Sequence, residues 1–586
     1  RGHAGFDRKR YDEALTAFDK AITLEPDLAE AWLGRGNVCF DLKRHDEALA
    51  AFAKALALKP DLAQAWLGRG NIFANLRRYD EAFAAFDKAI ALEPDLAAAW
   101  FGRGTVCFDL KRHDDAFAAY DKALALKPDL GLAEALRLHA KMHLCDWSNF
   151  DTEADHLMNG KERGEPFALL SISNSPGLQL QCARFTSEKI PLPKMPLWHG
   201  EIYKHDKIRL GYLSPDFRHH PVAYLLAGVF ENHDRRHFQT FAFSTGPGDN
   251  SEMRDRLTRA FDQFIDVNGK SDGDIAGQIR ALDIDILIDL GGYTADSRVP
   301  ILAQRAAPVQ VNYLGYAGTM GANYVDYLIA DRTLVPPSHQ IYYTEKIVYL
   351  PHCFMPSDAK GRNISDKPLR RSDFGLPENG FVFCCFNNAY KFNPELFRSW
   401  MRIMKAIDDS VLWLSELSET ARTNLKKHAD AAGVDPERLV FAKRLASSSE
   451  HLARHKLADL FIDTLPYNAH TTASDALWTG LPVLTQIGET FAARVAASLL
   501  NAIGLPELIT RSRQDYERLA IELANGPAKL AAIKEKLEAN RSIAPLFDTQ
   551  LFTRHLEAAY RQMSERYRAG LAPDHFAVSA GEIPGR

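Results

Sequence analysis

The sequence predicts a chain of mixed class, an α-helical repeat array followed by two α/β lobes built on parallel sheets. A motif recurs every 34 residues near the N-terminus, short apolar segments alternate with helical stretches from Lys207, and the alternation restarts after a polar segment ending at Asp373. The chain has 586 residues, too many for one domain. The predicted parts are repeats over 1–130, a helical adaptor and linker over 131–205, an N-terminal lobe over 206–370, a C-terminal lobe over 371–545, and a C-terminal helix and tail over 546–586.

Composition and charge exclude several classes of protein. The net charge is −5, so no overall positive field attracts nucleic acid or an anionic membrane, and we expect neither partner. No apolar run is long enough to span a bilayer, and no signal peptide is recognisable. The seven cysteines include no CxxC pair, which disfavours a zinc ribbon and indicates a reduced, cytoplasmic protein.

A 34-residue period organises the first quarter of the chain. The recurring residues are Pro26, Pro60, Pro94 and Pro128, then Trp32, Trp66 and Trp100, then Gly34, Gly68 and Gly102. Small alanines let paired helices approach, aromatic residues fill the gaps, and proline ends each second helix. The pattern closely resembles the tetratricopeptide repeat, which implies a protein-binding array. Three whole repeats follow a partial one, which leaves room for further repeats before Arg1 in the native gene product.

Alternating strands and helices are predicted for the two lobes. The strand-like segments are KIRLGYLS, FQTFAFST, DIDILIDL, VQVNYLG, VDYLIAD and KIVYLP in the first lobe, and FVFCCFNN, SVLWLSEL, RLVFAKR, LADLFIDT and PVLTQIG in the second. This alternation predicts parallel strands joined by crossover helices. Because ligands bind at the carboxyl ends of such strands, we expect a cleft between the lobes.

Three loops that follow strands of the N-terminal lobe carry candidate residues. His219 and His220 precede Pro221, and a helix is predicted to start near Val222. A histidine there can act as a general base or bind an anion, whereas the alternative is a loop that only caps the helix. The other two loops, GGYT at 291–294 and YAGTMG at 316–321, suit phosphate or sugar contact, with ordinary turns as the alternative.

The DID segment at 283–285 matches the D-x-D pattern of a metal-binding motif. Asp283 and Asp285 would share one face of the predicted strand, several residues before its carboxyl end. We therefore predict a pair at the start of the strand and no metal site. Asp289 lies nearer the cleft but has no obvious partner ligand.

Two segments of the C-terminal lobe suit a diphosphate. Lys391 follows the first strand, just before a helix that Asn393 could cap and Pro394 could start. A lysine beside a helix N-terminus suits a diphosphate, although a solvated loop lysine is the alternative.

In the second segment, NAHTTASD at 468–475, a helix is predicted to begin near Thr472 with Asp475 in its first turn. Its N–H groups and threonine hydroxyls would favour an anion, and Asp475 would accept from N–H groups or ribose hydroxyls. A Thr-capped helix explains Thr472 and Asp475 equally well, but it leaves His470 unexplained.

Together these segments resemble the tetratricopeptide-repeat O-linked N-acetylglucosaminyltransferases, including the plant SPINDLY-type relatives. The resemblance covers nearly the whole chain and is carried by SPDFRHHP, GGYT, VQVNYLGYAGTMG, FNNAYK, SVLWL, NAHTTASDALWTGLPV and GETFAARVAASLL. It implies a GT-B glycosyltransferase with two Rossmann-like domains that inverts configuration and needs no metal or other cofactor. The implied donor is UDP-GlcNAc, with UDP as product, and the implied acceptors are Ser or Thr hydroxyls of proteins recruited by the repeats. A homodimer through the repeats is a further option.

The resemblance also assigns roles to individual residues. His220 matches the family's active-site histidine, a base or an organiser of the acceptor site, and Lys391 matches the lysine that stabilises the leaving diphosphate. Asp475 matches the ribose-binding aspartate. The other nucleotide-sugar contacts are the phosphate-binding His470, Thr471 and Thr472, the uracil-proximal His451 and Arg454, and Asn388. The residues of the sugar and acceptor cleft are Tyr293, Thr294, Gly315, Gly318 and Thr319.

Three positions depart from the animal enzymes that the chain resembles. Those enzymes carry a lysine, a histidine and a glutamine where Ser448, Asp285 and Asn388 stand here. SPINDLY-type members use GDP-fucose, so the donor stays open between UDP-GlcNAc, GDP-fucose and UDP-glucose. An alternative of a different class is a repeat scaffold whose lobes bind nucleotide without turnover.

Overall fold

The computed structural model describes residues 7–42, 44–160, 165–445 and 447–581. These residues form two compact units, the first within 1–144, 148–165 and 191–194 and the second within 145–147, 166–190 and 195–586. None of the helices in the described ranges has the length and apolar character needed to cross a membrane.

The first unit consists of antiparallel helix pairs. Its helices are α1 (Asp7–Leu24), α2 (Ala29–Asp41), α3 (His45–Leu58), α4 (Ala63–Asn75), α5 (Tyr79–Leu92), α6 (Ala97–Asp109), α7 (His113–Leu126), α8 (Gly131–His143) and α9 (Phe150–Asn159). The prediction of helical tetratricopeptide repeats is confirmed. The opening residues 1–6 of the partial repeat lie outside the described residues.

Glycine recurs in this unit because an aromatic ring of the neighbouring helix needs the space. Phe52 of α3 is fully buried, and a Cβ at Gly36 or Gly68 would lie 2.5 or 2.4 Å from its ring. The tryptophans recur for a different reason, which is a hydrogen bond to the proline position. Trp32 Nε1 donates to the carbonyl oxygen of Pro26 at 2.9 Å. The same bond joins Trp66 to Pro60 and Trp100 to Pro94.

The second unit contains two parallel sheets, one in each lobe. Its strands are β1 (Ile208–Ser214), β2 (Phe238–Ser244), β3 (Gln263–Asp266), β4 (Ile286–Asp289), β5 (Val309–Asn312), β6 (Tyr327–Ala330), β7 (Lys346–Tyr349), β8 (Val382–Cys385), β9 (Val411–Leu414), β10 (Leu439–Phe441), β11 (Leu460–Ile462), β12 (Val483–Gln486), β13 (Ile509–Thr510) and β14 (Phe576–Ala577). The strand orders are β14-β7-β6-β5-β4-β1-β2-β3 and β10-β9-β8-β11-β12-β13.

Helices cover both sheets, as the alternating pattern predicts. They are α10 (Pro166–Ile172), α11 (Pro176–Glu188), α12 (Pro221–Asn232), α13 (Glu252–Ala260), α14 (Asp272–Ala281), α15 (Val299–Ala303), α16 (Pro394–Lys405), α17 (Glu419–Ala431), α18 (Ser448–Arg454), α19 (Thr471–Trp478), α20 (Val495–Ala502), α21 (Arg513–Asn525), α22 (Pro527–Arg541) and α23 (Thr549–Arg568). Two Rossmann-like lobes of the GT-B type are therefore confirmed. The predicted adaptor is divided, with α8 and α9 in the first unit and α10 and α11 in the second.

The C-terminal segment returns to the N-terminal lobe. In α23, Glu557 accepts a hydrogen bond from the backbone N–H of Asp234 at 2.7 Å, and Tyr560 accepts one from Tyr212 at 3.3 Å. Strand β14 then pairs with β7 at the edge of the first sheet. Strands β3, β13 and β14 are not predicted from the sequence, because each is at most four residues long and lacks a long apolar run.

The predicted position of the DID aspartates is wrong. Strand β4 begins at Ile286, and Asp283 lies in a turn with a φ of 45°, so the two carboxylates do not share a strand face. Asp285 is fully buried before the strand, where it accepts from the backbone N–H of Arg209 at 2.8 Å and pairs with His205 Nδ1 at 2.9 Å. Asp285 lies at the amino end of the strand. The difference from the animal enzymes at this position therefore does not affect the cleft at the carboxyl ends of the strands.

Candidate active site

Two adjacent loops of the C-terminal lobe bring several predicted residues together. Strands β8 and β11 are neighbours in the sheet, and the loops that follow them carry Lys391 and His470. The side chain of Lys391 extends from one loop to the other, because its Nζ donates to the carbonyl oxygen of Asn468 at 2.8 Å. The Lys391 Nζ also lies 3.8 Å from the ring centroid of Tyr467, which is a cation–π contact.

Lys391 is a buried cation and not a solvated loop residue. Its residue exposure is 7%. Burial lowers the pKa of Lys391, and the negative charge of Asp463 acts in the opposite direction. The helix that follows is built as predicted, with Asn393 accepting from the N–H of Leu396 at 2.8 Å and Pro394 in its first turn. The lysine is therefore held in place between the end of β8 and the start of this helix.

Asp463 organises the loop that contacts the lysine, and the sequence interpretation missed it. Its carboxylate is buried and accepts from the N–H groups of Thr464 and Ala469, at 2.7 and 2.6 Å, and from Thr485 Oγ1 at 2.7 Å. Burial raises the pKa of Asp463, while these hydrogen bonds and the charge of Lys391 favour its ionised form. A buried aspartate at the end of a strand-like segment was the available signal.

The helix α19 starts at Thr471, and His470 is its N-cap residue. The helix was predicted to begin near Thr472 and begins one residue earlier. The alternative of a threonine-capped helix is excluded, because the N-cap residue His470 makes no capping bond and the Thr472 hydroxyl donates to Asn387 Oδ1 at 2.5 Å. His470 Nε2 donates to the carbonyl oxygen of Ala492 at 3.2 Å, and burial lowers its pKa well below the usual range. His470 is thus neutral, and its hydrogen bond connects its loop to the segment GETFAAR. The N–H groups in the first turn of α19 are directed toward the N-terminal end of the helix, where an anion can bind them.

Asp475 lies in the second turn of α19 and not in the first, which corrects the prediction. Since the helix starts at Thr471, Asp475 is its fifth residue. Its carboxylate forms an ion pair with the guanidinium of Arg362, which belongs to the segment between the lobes. Burial raises the pKa of Asp475, and the charge of Arg362 opposes that effect.

Arg362 was missed by the sequence interpretation, which treated its polar segment only as a boundary between lobes. The side chain is buried and also donates to Ser357 Oγ at 3.1 Å and Ser474 Oγ at 2.9 Å. The carbonyl oxygen of Arg362 accepts from Trp478 Nε1 at 2.9 Å. One residue of the interlobe segment is therefore fastened to α19 by its side chain and its backbone.

The two residues predicted to lie near the nucleotide base, His451 and Arg454, are both in α18. Arg454 lies 4.4 Å from the ring centroid of Phe386, and its Nη1 donates to the carbonyl oxygen of Lys443 at 3.0 Å. Burial, then the charge of Arg454, lower the pKa of His451 to about 4, so this imidazole is neutral. Asn388 is exposed beyond the end of β8, and Ser448 is the first residue of α18.

In the N-terminal lobe, His220 is the N-cap residue of α12. Its Nδ1 accepts from the N–H of Val222 at 3.3 Å and lies 3.5 Å from a carboxylate oxygen of Asp216. Burial lowers the pKa of His220. Because Nδ1 accepts a hydrogen bond, the proton of the neutral imidazole lies on Nε2, and 36% of the side chain is exposed.

The predicted cleft residues of this lobe are bound into loop structure. Tyr293 is buried and donates to the carbonyl oxygen of Met320 at 2.8 Å, and the Thr294 hydroxyl donates to Gly291 at 2.8 Å. Thr319 is buried and donates to Glu345 at 2.6 Å. A Cβ at Gly315 would lie 2.0 Å from the carbonyl oxygen of Leu290, whereas one at Gly318 would lie 3.0 Å from the Tyr316 ring.

The lobes also contact each other directly. Ser498 of α20 donates to Asp331 of the N-terminal lobe at 2.5 Å, and Arg494 Nε donates to the carbonyl oxygen of Thr333 at 2.6 Å. Arg494 follows the loop residue Ala492 that accepts from His470. The loop that carries His470 is therefore connected to the N-terminal lobe by two successive contacts, His470 to Ala492 and Arg494 to Thr333.

Sequence comparison identifies two families along the chain. The profile of glycosyl transferase family 41 matches residues 182–364 and 359–556. The profile of the tetratricopeptide repeat matches residues 1–63, 50–97 and 67–130.

Individual relatives agree with these matches. The probable UDP-N-acetylglucosamine--peptide N-acetylglucosaminyltransferase SEC of Arabidopsis thaliana is 40% identical over 383 residues, which cover 64% of this chain and 39% of that protein. The UDP-N-acetylglucosamine--peptide N-acetylglucosaminyltransferase of Caenorhabditis elegans is 28% identical over 498 residues, covering 66% of this chain and 43% of that protein. The chain thus spans about two fifths of the length of these curated relatives.

A solved structure matches over a greater share of its own length. A mutant of the Thermobaculum terrenum O-GlcNAc transferase is 28% identical, with a TM-score of 0.67. The match covers 92% of this chain and 98% of that one.

Proposed function

The chain belongs to glycosyl transferase family 41, and from that premise we propose that it transfers N-acetylglucosamine from UDP-N-acetylglucosamine to serine or threonine hydroxyls of proteins. The observation that carries the proposal is the buried ammonium of Lys391, held against the loop that leads into α19. A fixed cation beside a helix N-terminus is suited to a diphosphate. The printed names of the relatives from Arabidopsis thaliana and Caenorhabditis elegans support the choice of donor.

The donor would lie along the carboxyl ends of β8 and β11. Lys391 and the first-turn N–H groups of α19 would bind the diphosphate, and Asp475 would accept from the ribose hydroxyls. Helix α18, with His451 and Arg454, would lie near the uracil base of the donor. His470 would act through its loop, because its Nε2–H is already donated to Ala492 and a neutral imidazole has no second N–H.

The reaction would be a direct displacement at the anomeric carbon. The acceptor oxygen forms the new bond to that carbon, the bond to the β-phosphate oxygen breaks, and UDP leaves with the electron pair, which inverts the configuration. The acceptor hydroxyl would give its proton to a phosphate oxygen of the departing UDP as the bond forms, so the products are the glycosylated protein and UDP that carries the proton. Lys391 and the helix N-terminus would stabilise the charge that develops on the diphosphate, so no divalent cation is needed in this proposal.

His220 would organise the acceptor site and not remove the proton. Its Nδ1 accepts from Val222, so only Nε2–H is directed outward in the neutral imidazole. An N–H group can orient an acceptor oxygen by donating to it, but it cannot accept a proton. A role as base would first require the bond to Val222 to break.

The repeats would recruit the acceptor protein, since arrays of this type present extended binding surfaces. A test is to incubate the purified chain with a protein extract and UDP-GlcNAc, GDP-fucose or UDP-glucose, each labelled in the sugar, with and without EDTA. We expect protein labelling from UDP-GlcNAc alone, unchanged by EDTA. Labelling from GDP-fucose alone would reject the donor, and nucleotide binding without labelling would favour the scaffold alternative.

A further inference from the structure

A regular series of ion pairs joins neighbouring repeats of the first unit. Arg35 Nε donates to Asp19 Oδ1 at 2.8 Å, which links α2 to α1. The same residue types recur 34 residues apart further along, with Arg103 Nε bound to Asp87 at 2.9 Å and Arg137 Nη1 bound to Asp121 at 2.9 Å. We call these contacts the arginine–aspartate series.

The series is interrupted at one repeat. Arg69 of α4 is the arginine of that repeat, but Ala53 of α3 occupies the position of the aspartate. Among the residues that the structure describes, no carboxylate forms an ion pair with Arg69. Its Nε, the atom that binds aspartate in Arg35 and Arg103, is shielded from solvent and has no hydrogen-bond partner.

The guanidinium of Arg69 is nevertheless held in place. It lies 5.0 Å from the ring centroid of Trp66 and 5.5 Å from that of Phe73. The residue as a whole is half-buried, and Ala53, at the aspartate position of the series, is exposed. A cation fixed on aromatic faces loses little side-chain freedom when it binds an anion.

The charges around Arg69 favour an added anion. Burial, then the positive charge of Arg78, lower the pKa of Arg69. Burial has the same effect on Arg35, but there the hydrogen bond to Asp19, together with the interactions with Cys39 and Glu47, raises the pKa. Arg78 pairs with Glu81, and its guanidinium lies 4.7 Å from the ring centroid of Phe73, the same ring that Arg69 faces.

We propose that Arg69 is a docking point for a carboxylate of an acidic segment in a partner protein, which completes the arginine–aspartate series from outside. A glutamate or aspartate of the partner would occupy the space beside Ala53 and pair with the guanidinium. That the partner is a glycosyl acceptor rests on the proposed function, whereas the binding itself does not.

The test is a binding titration with the full chain. Fluorescein-labelled hexaglutamate is the probe, hexaglutamine is its uncharged control, and anisotropy is the readout, so failure of sugar transfer would not affect the result. Ala53→Asp supplies the missing carboxylate from within the chain. We expect it to weaken hexaglutamate binding roughly two- to tenfold and to raise the melting temperature by roughly 1–3 °C.

Two further variants separate a docking point from a general charge effect. Ala84→Asp adds the same charge at an exposed position of α5 outside the series, and it should leave hexaglutamate binding unchanged. Asp87→Ala opens a second gap at Arg103, and it should strengthen binding or add a second site. Equal weakening by Ala53→Asp and Ala84→Asp, or unchanged binding with Ala53→Asp, would overturn the proposal.

Discussion

Lys391 donates a hydrogen bond to the carbonyl oxygen of Asn468, 2.8 Å from its Nζ. An ammonium has three N–H donors, so this bond positions the lysine and leaves donors for a phosphate. We expect Lys391→Met to lower kcat/KM for transfer by roughly 100- to 1000-fold, because a preorganised charge that stabilises the leaving group is lost. Lys426→Met, a substitution of a half-exposed lysine in the same lobe, should retain activity. Unchanged transfer in Lys391→Met would reject the leaving-group role.

Asp463 should determine the pH range in which Lys391 works. Activity requires the ammonium form of Lys391, and burial lowers the pKa of this lysine. The alkaline decline in kcat/KM should therefore occur at a lower pH than the pKa of an ordinary lysine, about 10.4. The negative charge of Asp463 raises the pKa of Lys391. Asp463→Asn removes that charge, and we expect the alkaline limb of the pH profile to move to lower pH. A limb that stays in place, or moves to higher pH, would contradict the assignment.

The sequence predicts the fold better than it predicts how the site is held together. The glycines, tryptophans and prolines of the repeats obey local packing rules, so a 34-residue period is enough to infer helical hairpins. Lys391 was found because it follows a strand and precedes a capped helix. Arg362 lies 113 residues before its partner Asp475, and Ala492 lies 22 residues after His470. Contacts across such separations depend on tertiary structure, which a local pattern does not encode.

The one-residue shift that moves Asp475 from the first turn of α19 to the second has a related cause. His470 precedes the first turn without capping it, since its side chain bonds to Ala492. The threonine hydroxyl that would be the usual cap is used by Asn387, 85 residues away in sequence. Standard capping preferences therefore place the start of α19 one residue too late, because the side chains that would cap it bind distant partners.

Arg362 should position Asp475 for the donor. Arg362→Met leaves a largely buried carboxylate, 18% exposed, unpaired, and we expect it to lower the free energy of unfolding by about 3 kcal/mol and raise the KM for the donor. Asp475→Asn removes the unpaired charge. The double variant should therefore recover part of the stability while the KM stays high, because the neutral amide of Asp475→Asn is a weaker acceptor for the ribose hydroxyls than the carboxylate.

Denaturant unfolding and donor kinetics of the two single variants and the double variant form a complete cycle. Strictly additive losses of stability would show that the ion pair contributes nothing of its own. Normal donor KM values in both single variants would remove Asp475 from the nucleotide site.

Gly315 should be required for folding of its loop. A Cβ there would lie 2.0 Å from the carbonyl oxygen of Leu290, and backbone cannot move aside as a flexible side chain can. We expect Gly315→Ala to lower the free energy of unfolding by about 2–4 kcal/mol. Gly277→Ala, inside α14 with open space around the added Cβ, should raise it by about 0.5–1 kcal/mol. A stable Gly315→Ala variant with impaired transfer would instead indicate that the glycine admits a substrate.

His220 combines a capping role with a proposed role in the acceptor site, and a conservative substitution separates the two. Asparagine is a good N-cap residue, so His220→Asn should keep the helix start and change the free energy of unfolding by less than about 0.5 kcal/mol. It lacks the outward Nε2–H, and we expect kcat/KM to fall by roughly 100-fold or more. Because His220 is already neutral above its lowered pKa, the wild-type rate should not rise through a histidine titration near pH 7. His237→Asn, at an exposed surface position, is the matched control. If His220→Asn stays fully active while His220→Ala loses stability and activity together, the imidazole serves only as the helix cap.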